Sequence, residues 1–317
     1  MQRSAYTLPV VLLSGALFLT ACGTQRTGGE AGGPAGTSGV GASGTGASGA
    51  GACGAGGSGA SSAPPAGDPS RLSADGVTIT GFDAAQECLA YEIANSSDET
   101  RTYTVTFSVG TESGGALSNP EETVPSVAPG STVHRTLPLG GMQQADASAR
   151  ARILTVRSVR TDEAPSEGGA CPPSGVRVYA DQGDAAMGLR VVGLNLENCG
   201  TDEYRLNGYP DLELANADHE PVDGIDILHG GSEISTGTGA DGPPQPVTLK
   251  RGERAHATLV WRNTTEFGEA VNVPYVTVRA KSGADPVTVT PELDLGTTGR
   301  LGVGPWKKSE PLEGARP

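Results

Sequence analysis

The sequence predicts an all-β protein: two small antiparallel β-sandwiches behind a disordered tether. Three observations predict it. Past residue 71 the apolar residues recur at every second position in short runs, turn-forming Pro, Gly and Asn-Ser pairs separate those runs, and no stretch sustains a helical period. One short helical turn is the most that the pattern admits. The 48 glycines are unevenly spread, 17 of them falling between Gly23 and Pro69, where almost no large apolar side chain is available for burial. Such a segment cannot offset its own ordering entropy, so the folded part is confined to the remainder.

In the first head, residues 71–165, the strands follow from alternation. "VTIT" opens it, and "CLAYEIANSS" puts Leu89, Tyr91 and Ile93 on one face before a polar turn. "RTYTVTFSVG" places Tyr103, Val105, Phe107 and Val109 on one face and Thr102, Thr104, Thr106 and Ser108 on the other, the period of a half-buried strand. "APGSTVHRTLPL" supplies a Pro-Gly turn and then Val133, Arg135 and Leu137, and "ARILTVRSV" closes the set. The run "YEIANSSDETRTYTVTFSVG" followed by "VAPGSTVHRTL" resembles an extracytoplasmic immunoglobulin-like module.

In the second head, residues 166–306, Val192, Leu194 and Leu196 alternate in one strand, and Ala255, Ala257, Leu259 and Trp261 in another. Gly208, Tyr209 and Pro210 punctuate the approach to "DLEL", where Leu212 and Leu214 share a face. Trp261 reads as core; Trp306, after "GVGP", either caps the sandwich or lies exposed. "HGGSEISTGTGADGPPQP" reads as a mobile loop, either a binding surface or a tolerated insertion. The segments "CPPSGVRVYA", "NGYPDLEL", "GERAHATLVW" and "LDLGTTGRLGVGPW" resemble, in that order, a domain of unknown function common in actinobacterial lipoproteins, DUF4232. The chain has no cysteine after Cys199, so a second bridge of the kind some members of that family carry is absent.

Residues 1–21 have the parts of an export signal. Arg3 gives a positive start, Leu8–Leu19 is apolar but shorter than the roughly twenty residues that span a bilayer, and small residues precede Cys22. The ending "LTACG" resembles the lipobox of bacterial lipoprotein signals. That resemblance implies cleavage behind Ala21, a diacylglyceryl group on Cys22, and a lipid-anchored protein on the extracytoplasmic face of the cell membrane. Two buried acyl chains hold firmly where one holds marginally, at about 0.8 kcal/mol per methylene. Residues 22–70 then form a disordered tether reaching on the order of 40 Å as a coil, and residues 307–317 a disordered tail.

The formal charge of −14 repels phosphate backbones, which argues against nucleic-acid partners. No Cys-x-x-Cys, P-loop or Gly-x-Ser-x-Gly motif occurs. Within the tether Gly44, Gly46 and Gly49 satisfy a dinucleotide-type spacing, with neither strand nor helix around them. Cys171 and Cys199 fall in the same head and are expected to form a disulfide, which at that spacing stabilises by about 3 kcal/mol; Cys53 and Cys88 either pair or stay free. "ADHEPVDGIDILH" gathers His219, Glu220, Asp223, Asp226 and His229, but Pro221 forbids a helical metal motif and a polar loop is expected instead. His134 and His256 are assigned to solvated strand faces. The expectation is therefore a monomeric envelope lipoprotein with no catalytic residues, metal or cofactor, displaying two heads toward an envelope protein or glycan. A spacer without a ligand is the alternative, and an unrecognised hydrolase a weaker one.

Overall fold

The computed structural model describes residues 72–84, 86–111, 115–140 and 149–310. The segments read as signal peptide and tether, the expected lipidation site Cys22, and Cys53 lie outside the described residues. Both heads fall within one compact unit, and each has its own hydrophobic core.

The first head contains β1 (Ser73–Ala74), β2 (Val77–Asp83), β3 (Cys88–Ala94), β4 (Arg101–Gly110), β5 (Ala116–Ser118), β6 (Glu121–Val127), β7 (Thr132–Pro138) and β8 (Arg150–Arg160). One sheet runs β1-β2-β3-β7; in the other, β4 pairs with β8 along one edge and with β5 and β6 along the opposite edge. All these pairings are antiparallel. The inward rows meet as the alternation predicts. Leu89, Tyr91 and Ile93 pack against Tyr103, Val105, Phe107 and Val109, all buried. The Tyr91 and Phe107 rings lie 5.0 Å apart and tilted, a geometry that adds about 0.5–1.5 kcal/mol beyond burial. Cys88, expected on the polar side of its strand, is instead buried and disulfide-bonded, with a partner outside the described residues.

A 3-10 turn, Thr161–Glu163, leads toward the second head. That head comprises β9 (Val176–Ala180), β10 (Asp184–Ala186), β11 (Leu189–Asn198), β12 (Tyr204–Leu206), β13 (Asp211–Ala215), β14 (Asp226–His229), β15 (Val247–Leu249), β16 (Arg254–Arg262), β17 (Val271–Val273), β18 (Tyr275–Arg279), β19 (Pro286–Val289), β20 (Leu293–Gly296), β21 (Arg300–Val303) and β22 (Lys307–Lys308). Its main sheet runs β10-β11-β16-β21-β14, with β9 added on β11 and β22 on β16. Opposite it stand the β13-β18-β19 sheet and the pairs β12-β15 and β17-β20. Leu194, Leu196, Leu259 and Trp261 of the main sheet share a core with Val276, Val278, Leu293 and Leu295. Trp306 is buried and donates its indole N–H to the Ala280 carbonyl at 2.9 Å, so it closes the core.

Three expectations for this head are corrected. The segment read as a polar loop around His219 to His229 ends in β14, which runs parallel to β21. The Gly-rich stretch after His229 is seated rather than loose: Ala240 is fully buried, and Gly231 and Gly304 pass so close to Ala240 that a Cβ on either would meet it at 2.8 Å. Lys307 and Lys308, assigned to the tail, form β22 beside His256 and Ala255. The Lys307 ammonium donates to the carbonyls of Gly239 and Asp241, at 2.7 and 2.8 Å, pinning the same stretch from the other side.

The two heads are built on one plan. Each has a strand ending in a buried Asn whose side chain ties together three pieces of backbone. Asn95 donates to the carbonyls of Glu99 and Val127, at 2.8 and 2.9 Å, and accepts from the Ser97 amide. Asn198 donates to Asp202 and Leu249, both at 2.8 Å, and accepts from the Gly200 amide. Their main-chain carbonyls accept from Gly130 and Gly252 respectively, two turn glycines with positive φ (65° and 80°) that a side chain would strain. The strand order β2-β3-β7 in the first head is matched by β9-β11-β16 in the second.

Candidate functional site

The site is built where the second head meets the outer face of the first. The hydroxyl row of β4, predicted as its polar face, supplies Thr102 and Thr104; β6 adds Glu121 and Thr123, and β8 adds Arg157 and Val159. Facing them are the end of β9 with its following turn, Tyr179 to Gln182, and the β19–β20 connection, Val289 to Glu292. Pro165 and Glu167, from the linker between the heads, line the same cleft. The enclosed volume is about 670 Å³, within the range of roughly 300–1,000 Å³ typical of small-ligand clefts.

Polar contacts across the joint fix the width of this cleft. Arg157 grips Glu292 with two parallel bonds, Nε to Oε1 and Nη2 to Oε2 at 2.8 Å, while its Nη1 donates to the Val156 carbonyl at 2.8 Å. Such bidentate pairing fixes orientation as well as distance. The Ser158 amide donates to the Tyr275 hydroxyl at 3.2 Å, and Thr288 donates to Glu163 at 3.2 Å. His219 stacks on Tyr275 with ring centroids 4.1 Å apart, and its Nε2 accepts from Arg101 at 3.4 Å. Partial desolvation, then the Arg101 and Arg157 guanidinium charges, hold the His219 imidazole below its ordinary pKa, with Asp218 pulling the other way.

Three of the four carboxylates of the lining, Glu292, Asp181 and Glu121, have partners in the structure. Glu292 neutralises Arg157. Asp181 accepts the Gly183 and Gly193 amides at 2.9 and 2.8 Å; a Cβ at residue 193 would meet its Oδ2, so the glycine lets the carboxylate lie flat on the sheet. Glu121 accepts from the Thr106 hydroxyl at 3.2 Å. Thr104 and Thr123 share a hydrogen bond at 3.2 Å. Beyond Asp181 the surface continues as a shelf of about 240 Å³ that includes Asp184, Asn195, His256 and Thr258.

The remaining sequence candidates are placed apart from this cleft. Cys171 and Cys199 form the expected disulfide, with Cα atoms 5.6 Å apart, tying the start of the second head to the end of β11. His229 stacks on Tyr209 at 4.2 Å while His219 sits at the joint, so the acidic-histidine segment does not converge. Among the described residues no group of three or more His, Cys, Asp or Glu is placed to hold a metal. His134 is exposed near Glu92, as assigned, whereas His256 is half-buried and hydrogen-bonds Ser309 at 3.2 Å. Sequence reasoning missed Arg157, Tyr179, Asp181 and Glu292. Arg157, the Tyr179–Asp181 stretch and Glu292 come from three separate parts of the chain, and no local spacing links the three.

The fold and cleft define a two-headed, all-β protein with a hydrophilic groove between its heads. Residues 171–307 match the family model of a domain of unknown function, DUF4232, which covers the second head. No curated protein matches the chain.

Proposed function

We propose that this chain is a lipid-anchored, extracytoplasmic protein of the cell envelope whose β-sandwich heads bind a ligand without catalysis, in the cleft between them. The observation that carries the binding reading is the cleft itself: the bidentate Arg157–Glu292 pair, the Ser158 amide on the Tyr275 hydroxyl and Arg101 on His219 cross from one head to the other and hold its walls at fixed separation. A preorganised groove binds without first ordering its walls. A spacer whose heads merely occupy volume has no use for such a joint. The non-catalytic reading is supported by the lining, where Asp181, Glu292 and Glu121 are committed to neighbours and no His or Cys stands beside a nucleophile. "LTACG" and the Gly-rich stretch behind it support the anchor, and the two-sheet build of the first head is compatible with an immunoglobulin-like module.

Two measurements test this. Replacing Cys22→Ala is expected to move the protein from the membrane fraction to the medium, and retention of the variant in the membrane refutes the anchor. The mature chain is expected to be retained on isolated envelope material, and a Gln182→Trp variant, which plugs the cleft from an exposed turn, is expected to lose that retention. Equal retention of both refutes the cleft.

A further inference from the structure

We infer that the cleft takes a glycan chain, uncharged or amine-bearing, laid along the Thr face of the first head and continuing past Asp181 onto the shelf of the second. This rests on the reading of the cleft as the binding site and specifies its ligand. The argument begins with what the walls can offer. Arg157 is the only cation in the lining, and its Nε, Nη1 and Nη2 are already donated to Glu292 and the Val156 carbonyl. Three of its five N–H groups are thus used and its charge is balanced by Glu292, so a phosphate or carboxylate ligand meets an already paired cation together with the negative charge of Glu121, Glu167 and Asp181.

Hydroxyls both donate and accept, whereas carboxylates only accept. A lining of Thr102, Thr104, Thr123 and Thr290 with these carboxylates thus favours a ligand rich in O–H or N–H donors that can also accept. A basic peptide would answer the carboxylates alone. The lining also carries apolar surface, namely Tyr179, Pro165 and Pro291, interleaved with the hydroxyls. A pyranose ring has the matching character, apolar C–H faces bordered by hydroxyl edges, and aromatic side chains with one polar end suit such half-apolar contacts. The shelf argues for a chain rather than a compact ligand. It meets the cleft at Asp181 and is lined by the same chemistry in Asn195, Thr258 and Asp184.

The experiment is calorimetric titration of the mature chain with four probes: chitotetraose, cellotetraose, tetragalacturonate and tetralysine. Binding of at least one neutral tetrasaccharide is expected, with no binding of tetragalacturonate. Tyr179→Ala is expected to weaken it at least tenfold, and Thr104→Val or Thr123→Val severalfold each; Gln182→Trp is expected to abolish it. Asn195→Ala on the shelf is expected to weaken tetrasaccharide binding while leaving a disaccharide unaffected. Tighter binding of tetralysine or tetragalacturonate than of either neutral probe overturns the inference, as does saccharide binding that Tyr179→Ala and Gln182→Trp leave intact. If no saccharide binds yet Gln182→Trp still abolishes retention on envelope material, the cleft stands and the glycan falls. If retention is also indifferent to the plug, both fall.

Discussion

His219 sits at the rim of the joint with its ring on Tyr275 and its Nε2 accepting from Arg101, and that acceptor role requires the neutral imidazole. A proton added there would put a third positive charge beside Arg101 and Arg157, against which Asp218 is the counter-charge. Because the docked imidazole has its pKa held below the ordinary value, an undocked or unfolded chain binds more protons below about pH 6.5. The stability contributed by this contact is therefore complete above that value and is lost as pH falls through and below it. The protection factor of the Ser158 amide, which donates to Tyr275, is expected to fall between pH 7.5 and pH 5, its exchange slowing by less than base-catalysed intrinsic chemistry dictates. His219→Gln, which can accept from Arg101 but does not titrate, is expected to flatten that dependence. An unchanged profile would assign the effect to another group, His256 being the nearest rival because burial and Lys307 depress it likewise.

The Asn-anchored turns give each sandwich its register. Removing the amide of Asn95 or Asn198 takes its side-chain partner from one buried carbonyl, one part-buried carbonyl and one backbone amide in either head. Asn95→Ala and Asn198→Ala are each expected to destabilise by about 2–3 kcal/mol, measured as a fall in the urea midpoint, while Ser→Ala substitutions in the exposed turns are expected to be near neutral. The sequence marks Asn95 as part of a polar turn, in "ANSS", but gives no sign that Asn198 shares its device. The carbonyls that complete it, Val127 and Leu249, lie 32 and 51 residues away. The same distinction governs the rest of the fold. Strands such as β4, β11 and β16 were legible because a half-buried strand writes its period into adjacent residues. β14 was not, because its pairing is with β21, far along the chain. The stretch around Gly231 and Gly239 looks mobile in composition, whereas its glycines serve close approach to Ala240, Thr258 and Val260.

For the whole molecule, the joint determines whether the heads behave as one body. With Arg157–Glu292, Ser158–Tyr275 and Glu163–Thr288 in place, calorimetry of the mature chain is expected to show one coupled transition for both heads. Arg157→Met combined with Tyr275→Phe is expected to split it into two, and two transitions already in the unmodified chain would show that the joint does not couple them. Half of the cleft was readable, since Thr102 and Thr104 fall on the polar face of a strand whose apolar face is core. The other half was not, because Tyr179 and Glu292 come from a separate head and are brought opposite by the joint alone.

The chain passes from the tether side into the first head through β1, two residues long and paired with Thr78 and Val77 of β2. If the anchor holds one end of the protein and a ligand in the cleft holds the other, tension between membrane and ligand enters at Cys88, because the cysteines left to pair with it, Cys22 and Cys53, both precede Ser73. β1 and β2 then lie inside the covalent loop and carry none of the pull. The load falls on β3, laddered to β2 on one side and β7 on the other, so the first head meets it with a central strand rather than with its two-residue edge.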